Sequence, residues 1–454
     1  MWWKNTVIYE VYVDKFAGNF NGLTGKLDYL KNLGINCVWL LPHYPSPMVD
    51  DGYDVSDFYN VRPELGTLGD FQQFVKKAHE KGIRIIIDLV LNHVSIKHPW
   101  FKERRDFFLW SKTGREFNQA HNPFSHMTDS NWVYNPATED YYFSSFFPEQ
   151  ADLNWDNPAI FNEFIKIIDF WAGLGVDPVR SNPPKADADM PLASRTSNGV
   201  DGFRLDAVAH LIKREGTNCL HLPEVHVVLK KLRRHLDHKW PGVILLAEAS
   251  GSMEKIKGYF GSTHSIPQGS EPVESTSSLQ VGNECHMAFN FPLMSSIYLA
   301  IKRSDTSIID DMIEKSSGIP DTCQWATFIG NHDEITFTPL GQAERDEMIA
   351  WLDPGNKYSF KGGSGVSMRL ATVFKRDKEK ILSMFKTLFS LPGSPVIYYG
   401  SEIGMENIYD GDFTDTRKYV RGEFDWQEAE RQMKESGSLL NQVSKIVKDR
   451  INIK

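Results

Sequence analysis

The sequence predicts a (β/α)8 barrel of the α/β class, and three observations carry that prediction. Short β-rich apolar runs alternate with amphipathic helical stretches, the pattern of βα units around a parallel sheet. Eight such runs occur, near Val7, Cys37, Ile85, Phe203, Ile244, His286, Phe328 and Val396, as a closed barrel requires. Several of the runs end in polar residues, where a barrel of this kind keeps its chemistry.

INCVWLL, IRIIIDLVL, GVILLAE and SPVIYYG read as buried strands. Between the strands, Phe71, Phe74, Val75 and Ala78 recur at i, i+3, i+4 and i+7, as do Phe161, Phe164, Ile165 and Ile168, and Val225, Val228, Leu229 and Leu232. Each series predicts one apolar face on a helix. Gly34 and Gly82 follow two helical segments just before strands, where left-handed helix ends are expected, and Pro158 after Asn157 suits a first helical turn. SLLNQVSKIVKDR predicts a last helix.

Three stretches depart from the repeat. Residues 93–156 form a long excursion after the third strand, rich in aromatics that include Trp100, Trp132, Tyr134, Phe146, Phe147 and Trp155, and are expected to form an inserted subdomain over the barrel mouth. Residues 1–92 and 157–454 then make the barrel. The tract 177–200 is polar and proline-containing, and Gly175-Val176-Asp177 recurs at its far edge as Gly199-Val200-Asp201. Deleting it would join GLGV to DGFRLD, as expected of a late insertion. A second tract, 262–280, has similar low complexity, and both are expected to be disordered insertions.

With 50 Lys and Arg against 59 Asp and Glu the net charge is −9, which excludes a basic nucleic-acid surface. No run of 18 apolar residues and no signal-peptide pattern is found, so no membrane partner is expected and the location expected is cytoplasmic. Cys37, Cys219, Cys285 and Cys323 are far apart in the chain, which favours buried, reduced thiols over disulfides or a zinc site. Oligomeric state is not legible.

The strand ends carry the chemistry. DLVLNH brings Asp88, Asn92 and His93 to the rim, GFRLDAV alternates Arg204 and Asp206 onto one face, ILLAE ends at Glu248, and ATFIGNHDE delivers His332 and Asp333. Singly, each has a bland reading: Asp88 or Asp54 as a helix cap, His93 as a core residue, Arg204 with Asp206 as a structural ion pair. Together they place carboxylates from three strands in one mouth, where unpaired charge is costly. Two of them would suffice for double displacement at a glycosidic carbon, one as nucleophile beside a guanidinium and the other as acid and then base.

DLVLNH, GFRLDAVAH, LLAEA and FIGNHDE resemble, in order, the signature motifs of the α-amylase superfamily, glycoside hydrolase family 13, and DGYDV and QADLN fit its additional motifs. The resemblance covers nearly the whole chain. It implies Asp206 as nucleophile, Glu248 as general acid/base and Asp333 as the carboxylate that stabilises the transition state. It further implies that Asp54, His93, Arg204 and His332 hold the sugar before the cleaved bond. KREGTNCLHLPEVHVVLKKLR, ECHMAFNFPLM and SLPGSPVIYYGSEIGM are similar to the branch of the family that interconverts maltose and trehalose through a covalent glucosyl-enzyme. An α-glucoside disaccharide or short oligosaccharide is the substrate this implies. Hydrolysis by an α-glucosidase or amylase is the nearest alternative, and an inactive, sugar-binding barrel a more distant one.

Departures from the family pattern set further expectations. The chain stops after its last helix, so the C-terminal β-sandwich is expected to be absent. DTRKYVRGEFDW replaces the usual PMQW-like ending, so the resemblance assigns no firm sugar-binding role to Arg417 or Arg421. No cofactor is required. Calcium, with Asn92 as its candidate ligand, is left open, because Lys213 stands where an acidic residue is expected and its ammonium would replace the ion.

Overall fold

In a computed structural model, which describes residues 1–174, 199–261, 282–409 and 411–452, eight parallel strands close into a barrel. They are β1 (Ile8–Val11), β2 (Cys37–Leu40), β3 (Arg84–Val90), β4 (Gly202–Asp206), β5 (Ile244–Ala247), β6 (Met287–Phe289), β7 (Gln324–Thr327) and β8 (Ser394–Tyr398). Each pairs with its neighbours in sequence, and β8 returns to β1. Every residue of β1 to β6 and β8 is buried, and all but Gln324 of β7, which is why these strands read as continuous apolar runs rather than alternating ones.

The helices form where capping and periodicity agree. Thr67 and Asp70 make a reciprocal capping box at the start of helix Leu68–Glu80, which buries Phe71, Phe74, Val75 and Ala78. The side chain of Asn157 accepts from the Ala159 amide and Pro158 opens helix Pro158–Ala172. The buried face of that helix is Ile160, Phe164, Ile167, Ile168 and Trp171. The stripe is therefore centred elsewhere than the i, i+3, i+4 series predicts, and Phe161 and Ile165 lie at its border, because two apolar series overlap on this helix. Gly34 ends helix Leu27–Leu33 at φ +102, and a Cβ there would meet Val447 Cγ1 of the last helix, Leu439–Asn452, at 2.7 Å.

Between β3 and β4 the chain builds two small antiparallel sheets. His93–Ser95 pairs with Gln150–Asp152, and Trp110–Ser111, Asp140–Phe143 and Trp132–Asn135 make the other. A further three-stranded sheet, of Ile335–Thr336, Ser359–Phe360 and Gly365–Val366, follows β7. All four cysteines are buried and unpaired. The tract 262–280 and most of 177–200 lie outside the described residues. Among the described residues no helix is long and apolar enough to cross a membrane.

Candidate active site

The register of β3 against β4 sets the centre of the site. Asp88 stands opposite Arg204 and Val90 opposite Asp206, and the two-residue period of β4 turns Arg204 and Asp206 to the same face. Arg204, 1% exposed, ion-pairs through Nη1 with Asp88 and with Asp206 Oδ1 (2.6 Å), and through Nη2 with Glu248 Oε2 (3.0 Å). Asp88 also accepts from Trp39 Nε1 at 2.9 Å. Ala207, in the left-handed region at φ +44, aims its amide at Glu248 Oε2 over 2.7 Å. One guanidinium thus serves both of the carboxylates that the sequence expects to be nucleophile and acid. It does not set them apart, as a cation reserved for Asp206 would.

Asp333 arrives from beyond β7. Asn331 Oδ1 accepts the amides of Asp333 and Glu334 and so bends the chain at that point. Arg421 acts as a three-way clamp: Nε donates to the His332 carbonyl (2.9 Å), Nη1 to Asp51 Oδ2 (2.6 Å) and Nη2 to Asp333 Oδ1 (2.7 Å). Arg417 Nη1 lies 3.6 Å from the same Asp333 oxygen, and Arg417 Nη2 pairs with Asp50 and Asp415.

These contacts order the carboxyl groups electrostatically. Burial would raise Asp333, but His332, Arg421 and Arg417 overcome it and hold the group below the usual carboxylate range. Burial pushes Asp206 up, and Glu248, Asp88 and Asp333 add to the shift while Arg204 opposes it. Asp88 and Asp50 are each raised by burial to about 6 against the pull of their arginines.

A cavity of about 210 Å³ opens over this cluster, bordered by Asp50, Tyr53, His93, Asp206, Glu248 and Asp333 among others. A larger groove, about 690 Å³, lies between Arg376 and Leu439 and touches none of the three carboxylates. The smaller space therefore holds the chemistry. Of the four residues expected to hold sugar, His93 borders it, with a buried Nε2 that has no protein partner. Burial lowers its imidazole to about 4, so it is neutral near pH 7.

Arg204 and His332 lie behind the cavity wall. His332 Nδ1 is 2.5 Å from Glu10 Oε1 and its Nε2 is 2.8 Å from the Tyr53 hydroxyl. Asp54 is a correction: its carboxylate accepts from Ser46 Oγ and the amides of Val49 and Asp50, closing its own loop. Asp50, four residues earlier, borders the cavity instead, held by Arg417 and by Gln150 Nε2 at 3.0 Å. The sequence did not single out Asp50, Tyr53 or Glu10, and it named Arg417 and Arg421 without a firm role. The signals available were two acids in a row before Gly52 and a lone Glu within an apolar first strand.

Calcium does not fit the oxygens around Asn92. Lys213 Nζ already takes Asn92 Oδ1 at 2.9 Å, Asp152 Oδ2 at 2.6 Å and the His210 carbonyl at 2.5 Å. A hard divalent ion calls for about six to eight oxygens, whereas these converge on an ammonium that ties β4's following segment to the base of the inserted subdomain.

Comparison with known proteins agrees with this geometry. Residues 5–182 match the family model for the α-amylase catalytic domain. The chain is 39% identical over 427 residues to a trehalose synthase of Pimelobacter sp. R48, an alignment that covers 90% of this chain and 68% of that one. The chain belongs to the α-amylase family. Another member, a trehalose synthase/amylase of Mycobacterium tuberculosis, is 42% identical over 424 residues, with 90% of this chain and 63% of the relative covered. The chain thus spans about two thirds of the length of these α-amylase-family relatives. Among solved structures, an isomaltulose synthase from Klebsiella sp. LX3 superposes with a TM-score of 0.70 at 22% identity, over 100% of this chain and 84% of that one, a likeness of fold.

Proposed function

We propose that the chain is a retaining α-glucoside enzyme that interconverts maltose and trehalose. The observation that carries the proposal is the pairing of Asp206 and Glu248 on the two arms of one guanidinium with Asp333 clamped across the same cavity. Retention calls for two neighbouring carboxyl groups, about 5 to 5.5 Å apart. Asp206 attacks the anomeric carbon, Glu248 gives its proton to the departing oxygen, and the freed glucose stays in the cavity. Asp333, kept ionised by Arg421, stabilises the positive charge that develops on the sugar. Glu248 then takes a proton from a hydroxyl of the retained glucose, which attacks the glucosyl carbon and releases Asp206.

Water would complete the same cycle as hydrolysis, so exclusion of water favours transfer. A roof over the cavity supports the transfer reading. Phe124 of the inserted subdomain meets Phe360 of the sheet after β7 with ring centroids 5.6 Å apart, and the Arg417 guanidinium lies 5.0 and 5.1 Å from the two rings. Lys213 serves in place of a metal ion and the reaction as written uses no cofactor. The substrate is an α-glucoside disaccharide or short oligosaccharide, and the unpaired buried cysteines suit a reducing, cytoplasmic setting.

Proton NMR of the anomeric signals during incubation with maltose tests this. Trehalose is the expected main product, and Asp206→Asn is expected to yield neither trehalose nor glucose. Glucose as the main product would make the chain a hydrolase, and turnover by the variant at the parent rate would remove Asp206 from the nucleophile role.

A further inference from the structure

The mouth of the cavity contains a side chain that the chemistry above leaves unused. Asp206 is 8% exposed and forms the floor, whereas the side chains of Glu248 and Lys361 are 20% and 31% exposed and stand toward the opening. His121, His210, His221 and Lys361 also border this cavity. Both nitrogens of His221 are engaged, by the Tyr259 hydroxyl at 2.9 Å and the Ser250 carbonyl at 3.0 Å. Burial lowers His121 and His210, helped by the Lys361 charge at His121 and chiefly by Lys213 at His210, so these imidazoles are neutral near pH 7.

Lys361 itself is held by several independent contacts. It sits in the left-handed region at φ +49, followed by Gly362 and Gly363 at φ +63 and +85, a backbone unfavourable for a residue with a side chain. Ser364 Oγ donates to the Lys361 carbonyl at 2.8 Å and the Gly363 amide to the Phe360 carbonyl at 3.1 Å, which ties the turn. Nζ is held at 2.9 Å by Glu334 Oε1. Glu334 is 5% exposed, its other carboxylate oxygen has no partner, and its own amide is fixed by the bend at Asn331 that presents Asp333. A buried carboxylate and a strained turn therefore direct one ammonium to the rim, with two of its three donors left to serve a ligand.

We propose that Lys361 hydrogen-bonds the hydroxyls of the sugar on the leaving-group side of the cleaved bond and so makes the enzyme prefer a disaccharide to glucosides whose leaving group is not a sugar. The inference rests on Asp206 and Glu248 cleaving a glucosidic bond at the floor of this cavity.

The test compares kcat/KM for maltose with kcat/KM for 4-nitrophenyl α-glucoside, whose leaving group offers no sugar hydroxyl, in the parent and in Lys361→Met. The maltose-to-nitrophenyl ratio is expected to fall about ten-fold, the size of one charged hydrogen bond lost. A ratio within about two-fold of the parent, whether both activities fall together or neither falls, overturns the assignment; the threshold is the precision such single-contact comparisons allow. Should Lys361→Met fail to fold because Glu334 is left unpaired, the double variant Glu334→Gln/Lys361→Met removes both charges and is read in the same way. A parent inactive on both substrates would instead refute the proposed chemistry, which separates that failure from this one.

Discussion

At the scale of the residue, Arg421 shows how much one side chain organises. Its three nitrogens reach three acceptors on two separate segments: the His332 carbonyl and Asp333 after β7, and Asp51 after β2. Lysine supplies charge but no planar fork, so it cannot make the three contacts at once. Arg421→Lys is expected to leave the fold intact by circular dichroism and to lower kcat by about 100-fold, the loss that a small displacement of a reacting group produces. A kcat within about three-fold of the parent would show that Asp333 is oriented without this clamp. Glu10 illustrates the limit of reading residues in isolation. A single acid in an apolar strand has many explanations, and only the closure of the barrel, which sets β1 beside β8 and one strand from β7, brings it to His332.

At the scale of the element, the loop after β2 carries an imidazole that makes the fold sensitive to acid. His43 is fully buried, stacked 5.1 Å from Phe71 and 4.5 Å from Tyr44 and edge-on to Trp171, and neither ring nitrogen has a partner. Burial, with Arg62 nearby, lowers it to about 3. The folded value lies below the unfolded one of about 6.5, so the unfolded chain takes up the proton first. The stability this group contributes is present above about pH 6.5 and is lost as pH falls toward 3. His43→Phe, which keeps the stacking, is expected to remove this dependence. Urea unfolding at pH 7 and pH 5 checks it: relative to the variant, the parent is expected to lose about 2 kcal/mol between the two. An equal loss in both proteins would show that His43 does not titrate in this way.

The strands themselves were legible because each is a short apolar run between turn residues, and all eight lie at or within one residue of the expected positions. The face of helix Pro158–Ala172 was less so, because apolar residues surround more than one side of it and only contact with the barrel selects which are covered. The inserted segment shows the same limit. It is rich in aromatics, yet these do not share one role: Phe146 borders the cavity and Tyr134 is 52% exposed. Aromatic composition has no direction until the small sheets fix one.

At the scale of the whole molecule, the described residues on the two sides of the tract 177–200 meet. Helix Pro158–Ala172 ends at Gly173, and the Val200 amide donates to the Trp171 carbonyl at 3.1 Å before β4 begins. Among the described residues, Trp171 on one side of the tract and Val200 on the other are thus neighbours in space. Deleting residues 177–200, so that Val176 is followed by Asp201, is expected to keep the melting temperature within about 4 °C, since the described residues flanking the tract already meet and shortening a connection between them costs little. A fall of more than about 10 °C would mean that the tract is part of the packed structure.

Local pattern was enough for the barrel class, the order of its strands, the family and the meeting of three carboxylates at one cavity, because hydrophobic period and strand-end position are properties of short segments. The motif DGYDV marked a loop at the cavity, but the acid that borders the cavity is Asp50 rather than Asp54, held there by Arg417, more than 350 residues away in the chain. The same holds for Arg421 on Asp333, Glu10 on His332 and Lys213 beneath the subdomain. Each is an ion pair or hydrogen bond between distant segments, whose strength comes from being buried together, and burial is decided only when the barrel closes.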